Sequence, residues 1–211
     1  MEQAKPASPA SQPPTPRQQR RREAARRLSE AGLRLMAAKG LEAAKVAEIT
    51  AAAGVGKGTF FTHWPSKDAF VASLVDQLLT DLARRVRPVG LAPTDAESLL
   101  ADVSAVHLRF FQLRPEAAAL VNQALSLAKG GQAHQAVAAR LSEHLAMVAG
   151  MIAPAGEQLG WPRERAKELA LAVLATASGF FWLGGALGLG ADTPLELLDR
   201  LARALARGLA R

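Results

Sequence analysis

The sequence predicts an all-α protein, on three observations. Apolar residues recur at helical spacing along most of the chain, and no stretch alternates as a half-buried strand does. Proline and glycine punctuate it at intervals that suit helices. Cysteine is absent, so neither a disulfide framework nor a thiolate metal site supports another architecture.

The 211 residues have room for one large domain or two small ones, and an apolar content of 49% is ample for a core. Charge is unevenly placed. Residues 1–70 carry 12 Lys/Arg and 6 Asp/Glu, a net +6, and residues 71–211 carry 14 and 13, a net +1. A basic end on a near-neutral body points that end towards a polyanion. The first twenty residues contain no apolar stretch of the kind a secretory signal needs, so a cytoplasmic location is expected.

Residues 1–19 hold Pro6, Pro9, Pro13, Pro14 and Pro16 among small polar residues and read as a disordered tail. Leu28, Leu35 and Met36, with small Ala24, Ala25, Ala31 and Gly32, make the apolar stripe of a first helix that Gly40 stops. Arg17, Arg20, Arg21 and Arg22 stand at its start, either as an arm for a minor groove or as a solvated extension of the helix. Val46, Ile49, Ala52 and Ala53 form a short second helix ending at Gly54. Residues 57–64 give a third, closed by Pro65. Ser66 caps a long amphipathic helix over 67–87. Beyond a linker with Pro88, Gly90 and Pro93, further helices are expected over 95–113, 115–127, 132–152, 162–189 and 194–209. Residues 20–66 thus form one domain and residues 67–211 a second.

The stretch Gly54-Val55-Gly56-Lys57-Gly58-Thr59 resembles a phosphate-binding loop, which would make the chain a nucleotide enzyme. That loop needs a glycine where Ala51 stands, and a buried strand upstream where a helix stands. A helix-turn-helix accounts for the residues better. Gly54 can take the left-handed conformation of the turn. Gly56 and Gly58 leave the start of the next helix bare, so backbone N–H groups can approach a duplex phosphate.

These residues resemble the DNA-binding domain of the TetR family of transcriptional repressors. The resemblance is carried by Leu28, Ala31, Met36, Gly40, Val46, Ile49, Ala53-Gly54-Val55, Gly58-Thr59-Phe60-Phe61, His63-Trp64, Ser66-Lys67 and Phe70. It implies an N-terminal three-helix helix-turn-helix domain followed by a helical effector and dimerisation domain. It also implies double-stranded DNA, a second copy of the chain and a small-molecule effector as partners. Lys57, Gly58 and Thr59 fall where the recognition helix faces the major groove, and His63 and Lys67 where the family holds phosphates. Lys45, Gly56, Phe61 and Thr62 complete the expected DNA-binding set. Three residues depart from the family pattern. Phe61 replaces a usual tyrosine, Gly56 a serine, and Lys45 a serine or threonine.

Residues 169–191 carry no charge over twenty-three positions, enough to span a bilayer. They are rich in Ala and Gly, which suits a buried subunit interface, and that reading is preferred over an anchor for a membrane-tethered DNA-binding protein. The expected interface residues are Leu171, Leu174, Ser178, Trp182, Leu198, Leu201 and Leu205, with no membrane partner. Phe110, Phe111, Met147, Phe180 and Phe181 are the candidates to line an apolar effector cavity, with Met151, Trp161 and Trp182 also large and apolar. His107, Arg109, Arg114 and Asn122 could add a polar contact but are expected at the surface. His107, His134 and His144 lack local metal-ligand spacing, so no metal, cofactor or catalytic residue is expected.

Overall fold

The computed structural model describes residues 15–91, 95–126, 132–158, 162–189 and 192–209. Over these the chain forms helices α1 (Pro16–Lys39), α2 (Val46–Ala52), α3 (Lys57–Phe61), α4 (Lys67–Val86), a 3-10 segment (Arg87–Leu91), α5 (Ala96–Gln112), α6 (Pro115–Ser126), α7 (Gln132–Gln158), α8 (Arg163–Ala186) and α9 (Asp192–Leu209). No strand occurs among the described residues.

Two boundaries differ most from expectation. α1 begins inside the stretch read as a tail. The Thr15 hydroxyl accepts from Gln18 N at 3.3 Å, the Gln18 side chain accepts from Thr15 N at 2.8 Å, and Pro16 occupies the first turn. This reciprocal cap satisfies donors that the helix start would leave orphaned. Arg17, Arg20, Arg21 and Arg22 therefore extend the helix and form no separate arm. Residues 1–14 lie outside the described residues, as do Pro93 and Trp161. At the other boundary, α7 runs through Pro154, where a break was expected, to Gln158. Proline forfeits a helical hydrogen bond, but Ile152 and Ala155 on either side are buried in the core, and packing carries the helix past it.

α4 is the spine. It buries Phe70, Val71, Leu74, Val75, Leu78, Leu79, Leu82 and Val86 along its whole length. One hydrophobic cluster runs from Leu28 of α1 through α4 to Ala206 of α9, so the core does not stop at Ser66, the N-cap of α4. α1 crosses α4 closely at Gly32. A Cβ there would lie 2.4 Å from the Phe70 ring, so only glycine fits. In the second half α5 packs on α9 and α8, and α7 packs on α8 and α4.

His107 is inside the protein, not at its surface: it is 2% exposed and His144 is 7% exposed. The two meet across α5 and α7 with their Nε2 atoms 2.8 Å apart, and His107 Nδ1 lies 2.7 Å from the carbonyl of Val103. A carbonyl only accepts, so His107 Nδ1–H donates to it. His107 Nε2 is then an acceptor, and His144 Nε2–H donates to His107. Burial holds both rings neutral, pushing each pKa from 6.5 down to about 4, with the neighbouring ring's charge adding to the effect at His107.

Two helical spans, His134–Glu157 and Glu164–Ala186, are long and apolar enough to cross a membrane. Here α8 turns Ala166, Leu169, Ala170, Val173 and Ala177 into the core and leaves Leu171, Trp182 and Leu183 exposed. Leu197 and Leu201 of α9 are exposed as well.

The histidine pair predicts an acid-sensitive core. Between about pH 4 and 6.5 the unfolded chain binds protons that the folded chain refuses, so stability rises with pH through that window and is complete above it. Urea midpoints measured across the window are expected to climb by an amount worth a few kcal/mol. The imidazole NMR signals of His107 and His144 should stay neutral as the pH falls through 6.5 and titrate only on approach to about pH 4. Midpoints that are flat there would contradict the buried, neutral pair.

Candidate nucleic-acid interface

α3 has only five residues and no side-chain cap. An isolated helix this short does not persist in water. Tertiary packing holds it. Phe60 is fully buried, with its ring centroid 5.1 Å from that of Phe70 and 5.5 Å from that of Trp64. Trp64 in turn packs on Phe70 at 4.7 Å and donates its Nε1–H to the Ser73 hydroxyl at 2.8 Å.

The turn before α3 is set by the backbone. Gly54 has φ +64°, the left-handed region that favours glycine, and Val55 N donates to Thr50 O at 3.0 Å. Gly56 precedes the helix in extended conformation, with Thr59 N donating to its carbonyl at 2.9 Å. No neighbour lies within 4 Å of where a Cβ on Gly56 or Gly58 would be, so both glycines are bare to solvent.

With Phe60 inward, α3 presents Lys57, Gly58 and Phe61 to solvent, and Thr59 is partly exposed. Phe61 is 49% exposed, an unusual position for an aromatic ring without a polar handle. Thr62 is exposed, but its hydroxyl donates to Thr59 O at 2.7 Å and its carbonyl accepts from Arg21 Nη2 at 3.2 Å. The extended first helix thus anchors the end of α3, a contact the sequence did not reveal. His63 is half-buried, and its pKa is lowered by burial and then by the Arg21 charge. Lys67 Nζ donates to Glu42 O at 3.0 Å, tying the start of α4 to the segment before α2. Lys45 is exposed at the N-cap of α2, and its backbone N–H donates to Glu48 Oε2 at 3.1 Å. The Glu48 carboxyl pKa is lowered by the Lys39 ammonium bonded to it, then by the Lys45 N–H.

The expected effector residues do not meet in one place. Phe110 is 4% exposed and belongs to the core, capped by the guanidinium groups of Arg85 and Arg114 at 5.8 and 5.2 Å from its centroid. Arg114 also pairs with Asp81 at 2.6 Å. Phe180 packs on a small cluster of Leu108, Ala177 and Leu198. Phe111 and Phe181 do share a cavity of about 210 Å³, which α5, α6 and α8 enclose with Val121, Leu125 and Trp182. Met147 lines a different groove, between α4 and α7. Of the residues expected at an interface, Leu198 is 2% exposed and is taken up by a core cluster with Leu108 and Ala177 of the same chain. Leu171, Trp182 and Leu201 are exposed, and Leu174, Ser178 and Leu205 partly so.

A short packed helix behind a left-handed glycine turn, with its basic and glycine-bare face outward, has the geometry of a helix-turn-helix. Residues 28–74 match the model of the family described as bacterial regulatory proteins, tetR family. The match bears out, over this segment, the resemblance seen in the sequence. Over 59 residues the chain is 37% identical to the HTH-type transcriptional repressor DhaR of Mycobacterium sp. (strain GP1), covering 28% of this chain and 30% of that one. The match thus spans less than a third of the length of that relative. The whole fold is similar to a putative transcriptional regulator of Pseudomonas aeruginosa PAO1, with TM-score 0.74, 23% identity, and 92% and 94% of the two chains covered. It is also similar to the transcriptional regulator FadR of Bacillus subtilis in complex with stearoyl-CoA, with TM-score 0.66, 20% identity, and 82% and 97% covered.

The turn yields a prediction about stability. Gly54→Ala forces a Cβ into the left-handed region and should cost about 1–2 kcal/mol. Gly58→Ala, at an unstrained helical position with open space, should gain about 0.4–1 kcal/mol. Thermal unfolding of the two variants checks the pair. Equal effects would mean that the turn conformation is not what holds Gly54.

Proposed function

We propose that the protein is a homodimeric, sequence-specific transcriptional regulator, a repressor that a small and largely apolar effector releases from its operator. The observation that carries this reading is the outward face of α3 behind the Gly54 turn, within the segment that matches the family. The naming of DhaR as a repressor favours the sign, and the stearoyl-CoA in Bacillus FadR favours an apolar effector. No enzymatic role, cofactor or membrane anchor is part of the proposal, and its setting is the cytoplasm.

In this reading Lys57 and Thr59 read base edges, Lys57 on guanine and Thr59 on a base edge or thymine methyl. Gly56 and Gly58 let the backbone come close to phosphates. Lys45, His63 and Lys67 bind phosphates, Thr62 holds the end of α3, and Phe61 packs against the sugar-phosphate wall. Two copies place two such helices in successive major grooves, about 34–36 Å apart or a multiple of it. The experiment is titration of operator and random duplexes at several salt concentrations. Lys57→Ala and Thr59→Ala should weaken operator binding more than random binding. Lys45→Ala should weaken both and lower the salt slope by about 1. Equal losses on both duplexes for the first two would show that they do not read bases.

The apolar surfaces of α8 and α9 supply the dimer. Leu171, Leu174, Ser178, Trp182, Leu201 and Leu205 face a symmetry mate in a four-helix arrangement, and exposed Leu183, Leu187 and Leu197 extend the patch. Sedimentation should find Leu201→Glu shifted to monomer at concentrations where the unaltered chain is dimeric. An unchanged dimer would place the interface elsewhere.

In this reading the effector occupies the cavity of Phe111 and Phe181 between α5, α6 and α8. α4, which starts at Lys67 beside α3, serves as the lever between the two functions, and α6 adds a second link. Gln123 Oε1 on α6 accepts from Leu41 N, in the segment before α2, at 2.9 Å. The neighbouring residues Val121, Asn122 and Leu125 line the cavity. An effector that displaces α6 therefore strains a bond to the DNA-binding domain. Coupling requires only that the effector bind the DNA-incompatible state better. Gln123→Ala should leave apolar ligand affinity unchanged and cut the ligand's effect on DNA affinity by about 1 kcal/mol, the worth of one hydrogen bond. Trp182 fluorescence reads the first quantity and DNA titration the second. If release is undiminished, α4 alone transmits the signal.

A further inference from the structure

A second groove, of about 370 Å³, lies between α4 and α7 and has a different chemistry from the apolar cavity. Its α4 wall is Asp76, Leu79, Thr80, Ala83 and Arg84, followed by Arg87, and its α7 wall is Arg140, Glu143, His144 and Met147. Arg140 bridges the helices at one end, paired with Asp76 across the groove and with Glu143 at 2.5 Å. Its charge is thereby used. Arg84 and Arg87 are exposed and make no ion pair with a described residue, so the groove keeps an uncompensated positive end. That end serves no DNA contact at α3. Arg84 stands 17 positions beyond Lys67 on α4, roughly 25 Å along the helix.

His144 supplies the independent sign of a ligand. It is 7% exposed, yet it forms part of the groove wall. The hydrogen-bond chain from Val103 through His107 fixes its tautomer: Nε2 carries the proton and points into the core, so Nδ1 is an acceptor. A deprotonated carboxylate or phosphate oxygen could not bond that nitrogen. A hydroxyl or amide N–H could.

We propose that the α4–α7 groove binds a small organic oxyanion, a carboxylate or phosphate monoester bearing a hydroxyl or amide N–H. The oxyanion lies against Arg84 and Arg87, and the donor hydrogen is accepted by His144. Guanidinium groups bind such oxygens with charge-assisted hydrogen bonds, and Met147 and Leu79 give the ligand's carbon skeleton an apolar wall. This site stands apart from the effector cavity and goes beyond the regulatory reading above.

The test is long-range ¹H–¹⁵N NMR of the imidazole rings in the full chain, which has four histidines. The probes are hydroxybenzoates, hydroxyalkanoates and hydroxyaryl phosphates at millimolar concentration, each beside its deoxy analogue. A hydroxyl-bearing probe should shift the His144 Nδ1 signal saturably, and its deoxy analogue should bind more weakly. The class that saturates first, carboxylate or phosphate, identifies the oxyanion. Arg84→Ala/Arg87→Ala should weaken binding by about tenfold or more. Both side chains are exposed, so that variant should fold, which circular dichroism checks. If no probe moves His144, or if the double variant binds as well as the unaltered chain, the proposal is overturned. DNA affinity measured without any probe judges the regulatory reading separately.

Discussion

The outward face of α3 depends on the packing of Phe60 against Phe70 and Trp64. Five residues cannot sustain a helix, because too few hydrogen bonds form to offset the cost of nucleation. Burying Phe60 completely against two aromatic rings supplies what the backbone lacks. The same packing fixes which side of α3 faces out. Phe70 is the shared element, since it also fills the space over Gly32 and so sets how closely α1 approaches α4. A change at Phe70 would therefore disturb α1, α3 and α4 together.

That arrangement makes the DNA-binding domain continuous with the rest of the molecule. α4 begins at a serine cap beside α3 and ends deep in the second half, buried along its length. Gln123 ties α6 to the backbone of Leu41, and Arg21 ties α1 to the end of α3. These are short, directional bonds between elements far apart in sequence. They give a movement in the second half a physical route to the helix-turn-helix. The hydrophobic cluster behind them, shared by both halves, resists independent motion.

The second half divides its chemistry between two spaces. The cavity of Phe111 and Phe181 is walled mainly by aromatic and aliphatic side chains, with Asn122 and Ser178 as uncharged polar residues, whereas the α4–α7 groove is rimmed by charge and reaches a buried imidazole. The histidine pair stands behind only the second. Two buried imidazoles cost desolvation, and the bond to Val103 O and the bond between the rings offset it by leaving each ring neutral and oriented. Their polarity, fixed by a single carbonyl, extends from α5 to the groove wall.

The sequence by itself determined the helical class, the order of the helices and the Gly54 turn. Each of these rests on local chemistry: periodicity, a residue free to adopt positive φ, a serine cap before Lys67. It also separated the basic first third from the near-neutral remainder. Tertiary structure alone decided what lies inside. His107 and His144 are 37 positions apart, and no spacing rule brings them together. Nor could periodicity tell that Leu198 turns into the core while Leu201, three residues on, turns out to solvent, because both belong to one apolar stripe whose partner is set by neighbouring helices. Pro154 failed as a breaker for the same reason: burial of Ile152 and Ala155 outweighs one lost hydrogen bond. Large apolar residues such as Phe110 and Phe111 read alike in the sequence. Only the packing of α5 against α6 and α8 assigns one to the core and the other to a cavity wall, since a cavity is a property of the space between helices and not of any one of them.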